Sequence, residues 1–156
     1  MSVIIQGYQL RTSQFGVQVV KASQALPQTA TATLATVSGG AVLVTSMLGL
    51  VTTVIGGTAT TLALGTVPTT GTAATGGIAA ATAITSKEAG TWITPLVSTG
   101  VGGALVVAAN GGNAVFLATP FIVPAGTITW TTSASTTGQL RWYFTYVALD
   151  NGASLS

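Results

Sequence analysis

The chain has 156 residues, enough for one domain with a sizeable core. Its only charged residues are Arg11, Lys21, Lys87, Glu88, Arg141 and Asp150, which is 4% of the chain, against about a quarter in an ordinary soluble domain. Having no His and no Cys, it excludes a disulfide framework, thiol chemistry and a zinc site, and a net charge of +2 is too small and dispersed to favour a nucleic-acid partner.

Residues 1–31 differ from the rest, with most of the Gln and little Gly. Val3, Ile5, Tyr8 and Leu10 alternate loosely, and Phe15, Val17 and Val19 do so more clearly. Two readings stand side by side: an extended N-terminal arm, or peripheral strands that begin the domain. Ala25-Leu26-Pro27-Gln28 reads as a linker, because the residue before Pro is pushed towards extended conformations. The apolar run from Met1 to Ile5 lacks a basic flank, so no secretory signal is expected.

From residue 32 to 156 the chain reads as a single β-domain. Thr33 to Val37 forms a strand, Ser38-Gly39-Gly40 a turn, and Val42 to Val54 a long strand, with Gly49 allowing a bend or a close approach. Gly56-Gly57 closes it, and Thr60 to Leu64 reads as the strand returning on it. A low-complexity loop from Thr66 to Gly77 follows, then strands at Ile78 to Thr85, Thr91 to Thr94 and Ala104 to Ala108. Asn110-Gly111-Gly112-Asn113 is a hairpin turn, since Asn and Gly accept positive φ, and Val115-Phe116-Leu117 returns from it. The apolar run Ala41 to Ile55 is interrupted by Thr45, Ser46, Thr52 and Thr53 and falls short of the roughly 20 residues a spanning helix needs. The aromatics crowd towards the C-terminus and form no girdles of a membrane barrel. No membrane partner is expected.

The best-specified segment lies near the end. Ile128 and Trp130 alternate with Thr127, Thr129 and Thr131, while Leu140, Trp142, Phe144 and Tyr146 alternate with Arg141, Tyr143 and Thr145. Period two marks strands with one buried side. The polar connector from Ser133 to Gly138 predicts a hairpin. Asp150-Asn151-Gly152 predicts a turn before a short terminal strand. Roughly eight strands spaced by Gly-rich turns predict an all-β fold, an antiparallel β-sandwich or jelly roll.

Catalytic chemistry finds little to work with. General acid–base catalysis usually needs His or paired carboxylates, and the only carboxylates, Glu88 and Asp150, lie in separate turns. A Ser nucleophile lacks a base, calcium lacks clustered acids, and no phosphate-binding Gly motif opens a helix. No enzyme activity, cofactor or metal is expected. Trp130, Trp142, Tyr143 and Tyr146 could stack on sugars or bases, but aromatics alternating on strands are more often core. Arg141 could anchor to an acidic partner, although a solvated Arg is the commoner outcome, and Lys87-Glu88 reads as an exposed tip.

Pro124-Ala125-Gly126-Thr127-Ile128, Thr136 to Trp142 and Tyr146 to Ala153 together resemble a C-terminal pattern of small structural proteins of tailed bacteriophages. Val42 to Ile55 and Pro68 to Ala73 are similar to the same group, and the likeness spans about residues 32–153. The resemblance implies a virion structural role, a capsid decoration (cement) protein or a tail component, with no catalytic motif to carry over. Low charge with a high apolar fraction independently points to surface buried against copies or a partner. The expectation is therefore a symmetric homo-oligomer, a trimer, on the outer capsid surface, with the major capsid protein or other virion proteins as partners. Interface residues are expected at Arg11, Phe15, Lys21, Thr127, Thr129, Arg141 and Tyr143, with the last four on one polar sheet face. The alternatives are a tail tube, tail tip or fibre domain, or a host-glycan-binding module using Trp92, Trp130 or Tyr143.

Overall fold

The structure, a computed structural model, describes residues 7–95, 103–108 and 120–156, and of Tyr8, Gln9, Arg11, Ser13 and Val106 the backbone alone. One helix, α1 (Gly7–Phe15), precedes twelve strands. These are β1 (Val17–Val20), β2 (Gln24–Ala25), β3 (Thr31–Ser38), β4 (Val42–Thr53), β5 (Thr61–Pro68) and β6 (Ala74–Ala83). They continue with β7 (Trp92–Pro95), β8 (Gly103–Val107), β9 (Phe121–Val123), β10 (Gly126–Thr132), β11 (Gln139–Ala148) and β12 (Ser154–Leu155). The expected turn at Asn110–Asn113 and strand at Val115–Leu117 lie outside the described residues.

The fold is all-β, as its β-branched, Gly-punctuated composition predicts. Its strands form one sheet in the order β1-β11-β4-β7-β8-β6-β5-β10-β3-β12, with β2 beside β11 and β9 beside β4. The two separate sheets of a sandwich or jelly roll are not seen; the sheet curls until it is nearly closed into a barrel-like shape. Continuity runs through a short parallel pairing, Ala79 with Gly103 and Ala80 with Ala104. This junction divides the sheet into a first half, β1, β2, β11, β4, β9, β7 and β8, and a second half, β6, β5, β10, β3 and β12.

The predicted terminal hairpin does not form. Both strands exist, and Ile128, Trp130, Leu140, Trp142, Phe144 and Tyr146 are buried as the alternation predicts. Yet β10 pairs with β3 and β5, whereas β11 pairs with β4 on one edge and β1 and β2 on the other. Each strand has both hydrogen-bonding edges taken by others, so they face one another across the core. There Trp130 and Trp142 meet edge to face, ring centroids 6.3 Å apart at 87°, a geometry worth about 0.5–1.5 kcal/mol beyond burial. Alternation specifies which face of a strand is apolar, and it carries no information about the strand's neighbours. The same lesson applies to β5, expected to return on β4 but paired with β6 and β10. The loop expected from Thr66 to Gly77 shrinks, because β5 runs to Pro68 and β6 starts at Ala74.

The core joins Val42, Val44, Met47 and Val51 of β4 to Leu62 and Leu64 of β5, Ile93 of β7 and the inward residues of β10 and β11. Fully burying such a side chain contributes about 1.5–3 kcal/mol. Gly49 lies opposite Trp142 in the β4–β11 register, and a Cβ there would sit 3.0 Å from two ring carbons. The close approach predicted at Gly49 is therefore made by an indole ring.

At the N-terminus β1 lies along β11 from Val17 opposite Tyr146 to Val20 opposite Tyr143. The helix before it was not foreseen, since α1 has no apolar stripe and leaves Leu10 and Phe15 exposed. It ends at Gly16, whose φ of +91° is left-handed and whose N–H donates to Thr12 O at 3.0 Å. The expected linker is not free either: Leu26 and Pro27 are buried, and Leu26 N–H donates to Gly138 O at 3.2 Å.

Candidate interaction face

The outward side of the first half-sheet can be read from its register. Val20 of β1, Tyr143 of β11 and Leu48 of β4 form one row, and Arg141, Leu50 and Trp92 form the next. Gln18, Thr145 and Ser46 make a polar row, and at the far end Val147, Leu43 and Ile122 make another apolar one. Trp92 and Tyr143 touch, ring centroids 5.8 Å apart and tilted by 43°. Helix α1 ends over this side, where Gln14 and Phe15 line a hollow of about 370 Å³ with Thr45, Ser46 and Thr145.

Exposure is unequal between the two halves. Phe15 (65%), Ile122 (64%), Val20 (51%) and Val147 (41%) stand out on the first half. On the second half only Val67 (43%) does so among the described residues. Its outer rows instead read Thr31, Thr131 and Ala63, then Thr33, Thr129 and Gly65, then Thr36, Thr127 and Val67. The hydroxyls of Thr31 and Thr131 hydrogen-bond each other at 2.7 Å.

The expected interface residues therefore separate. Phe15, Lys21, Arg141 and Tyr143 lie on the first half-sheet or its edge, where Lys21 N–H donates to Trp142 O at 2.8 Å. Arg11 belongs to α1, with only its backbone described. Thr127 and Thr129 lie on the second half, facing away from Arg141 and Tyr143, so the single polar face expected for these four does not exist. Its failure follows directly from the missing hairpin. Thr129 is also buried, at 6% exposure. It sits beside Gly65, where the backbone of Ala74 to Gly76 packs so closely that a Cβ would lie 2.3 Å from Ala74 O. Trp130, proposed as a sugar-stacking ring, is sealed in the core at 2% exposure.

Comparison with family models, with curated proteins and with solved structures finds no match. The reading of this face rests on its chemistry alone.

What sequence reasoning missed are Leu48, Leu50, Ile122 and Val147 as surface residues. A signal was present in β4, whose run Val42-Leu43-Val44 and Met47-Leu48-Gly49-Leu50-Val51 is apolar at inward and outward positions alike. A strand apolar on both faces is one covered on both faces. Of the two carboxylates, Asp150 Oδ2 accepts the Ala41 N–H at 2.6 Å and ties the end of β11 to the start of β4, and Glu88 is exposed in the turn before β7. Among the described residues no group of three or more His, Cys, Asp or Glu gathers to hold a metal, and no helix is long and apolar enough to cross a membrane.

Proposed function

We propose that this chain is a non-enzymatic structural protein of a tailed-bacteriophage virion, a capsid decoration protein that binds the outer shell as a symmetric homo-oligomer and stabilises it. The observation that carries this reading is the one-sided exposure of Val20 beside the Trp92–Tyr143 pair, of Phe15 over the polar row and of Ile122 and Val147 beyond it, on a chain with almost no charge. A large apolar patch on one side of a domain marks a protein-binding surface, and aromatic residues with Arg are the side chains enriched at the centre of such surfaces. Arg141, exposed in the row of Leu50 and Trp92, supplies the directional polar contact. The resemblance of residues 32–153 to small phage structural proteins supplies the virion setting.

The test combines mass in solution with reconstitution. Purified protein is measured by sedimentation or light scattering, then mixed with undecorated capsids and imaged by electron microscopy. A symmetric oligomer that occupies regular positions on the shell supports the proposal. A stable monomer that ignores capsids overturns it, and rings or filaments of the purified chain would assign it to the tail tube instead.

A further inference from the structure

At one end of the barrel, three loops border an open cleft of about 780 Å³, a volume within the range of small-ligand sites. They are the segment after β2, the β4–β5 loop and the β10–β11 connector. The cleft is built and does not depend on a ligand for its shape. The connector is held by Gln28 Nε2, which donates to Thr136 O at 2.9 Å and to Leu26 O at 2.8 Å. Gly56 N–H donates to Thr137 O at 3.1 Å, and Thr60 Oγ1 to Ala134 O at 3.3 Å. Thr29 Oγ1 and Ser135 Oγ bond at 3.0 Å. A site ordered in advance has less conformational entropy to lose on binding.

The lining is uncharged. Thr58, Thr137 and Ser135 bring hydroxyls, Gln28 and Gln139 bring amides, the Gln139 Oε1 already accepting from Ser23 Oγ at 3.2 Å so that its Nε2 is the group left to a ligand, and no charged residue lines the cleft. Hydroxyls and amides both donate and accept hydrogen bonds. With its Nε2 committed to the two carbonyls, Gln28 keeps an amide oxygen with no partner among the described residues. Gly57, exposed at the edge of the cleft, leaves space: a Cβ there would meet nothing nearer than Ser86 Oγ at 3.8 Å, and its φ is not positive. A charged ligand would find no counter-charge in such a wall, whereas a ligand that carries neutral hydroxyls on an apolar carbon frame would find hydroxyl and amide partners beside an apolar surface.

We infer that this cleft binds a neutral saccharide, through the Gln28 amide oxygen, the Gln139 amide nitrogen and the hydroxyls of Thr58 and Thr137, beside the open space at Gly57. No aromatic ring lines the cleft, so stacking contributes nothing and a single site binds at about millimolar strength. Repetition of the site on a symmetric particle would raise the effective affinity without new contacts. The inference stands apart from the capsid reading: that one fails on mass and capsid binding, this one on titration.

The experiment is a titration of the isotope-labelled full chain, followed by amide NMR, with short neutral oligosaccharides of glucose, galactose, mannose and N-acetylglucosamine. Glycerol and a sulfated saccharide serve as comparators. Saturable shifts confined to the amides of Gly56 to Thr58 and Thr137 to Gln139, at least about tenfold weakened in Gly57→Trp and unchanged in Trp92→Ala, support the site. Should Gly57→Trp fail to fold, Gln139→Ala and Thr58→Ala carry the same comparison, each expected to weaken binding by several-fold. No saturable shift up to about 50 mM sugar, an equal response to glycerol, preference for the sulfated saccharide, or shifts that map to the Trp92 face would each overturn it.

Discussion

The two halves of the sheet solve the same problem, a strand surface with almost no charge, in opposite ways. The second half coats its outer side with threonines that bond one another, as Thr31 and Thr131 do, or leave hydroxyls to water. The first half presents Val20, Ile122 and Val147 as exposed apolar side chains, with Leu48 and Tyr143 partly covered in the row of Val20 and Leu50 and Trp92 partly covered in the next. Low charge therefore means two different things in one molecule: a wet β-branched face on one side, and a face suited to cover on the other. A hydroxyl satisfied by a neighbour or by water costs little to leave exposed, whereas an apolar patch gains free energy whenever something covers it.

The largest effect tests whether the halves act as one body. Trp142→Ala on the first half and Trp130→Ala on the second should each lower stability by about 3–5 kcal/mol, read from denaturant unfolding. The two losses should fail to add by about 0.5–1.5 kcal/mol, because the rings touch across the core. Additive losses, or two separate transitions, would mean that the halves are independent. Next in size is the difference between the outer faces. Trp92→Ala and Tyr143→Ala should weaken oligomer or capsid binding by about 2 kcal/mol, close to thirtyfold, while Thr36→Ala and Thr127→Ala on the other side should leave it within about 0.5 kcal/mol. Equal effects on both faces would erase the distinction drawn here.

Gly49→Val places a methyl-bearing carbon 3.0 Å from the Trp142 ring, and overpacking there should cost about 1–3 kcal/mol. The equivalent change at Gly57, where space is open, should cost less. Comparing their thermal midpoints checks both. The smallest expected change is a gain. Thr136 Oγ1 is buried with no hydrogen-bond partner, so Thr136→Val, which keeps the shape and removes the hydroxyl, should raise stability by about 1 kcal/mol. A loss on calorimetry would show that the hydroxyl has a partner after all.

Much of the strand inventory was legible from residue order. The positions of β3, β4, β6, β7, β10 and β11, the turns at Ser38–Gly40 and Asp150–Gly152, and the burial of Trp130, Trp142 and Phe144 all follow from alternation and turn chemistry. Helix α1 was not legible, because nothing apolar repeats along it at helical spacing. The candidate face was half legible: Phe15, Arg141 and Tyr143 were in hand, but Thr127 and Thr129 were grouped with them through a hairpin that does not form.

By itself the sequence determined that this is an all-β chain with few charges, and which sides of β10 and β11 carry the large buried side chains. Those properties are local, set by side-chain period and backbone preference within a few residues. Only the tertiary structure decided which strands are neighbours, and with that the two-sidedness of the surface and the cleft beneath the Ser133–Gly138 connector. Hydrogen bonds along a strand edge are made by backbone groups common to every residue. Pairing is therefore chosen by the packing of the whole core, in which β10 and β11 stand as facing walls joined by two tryptophans.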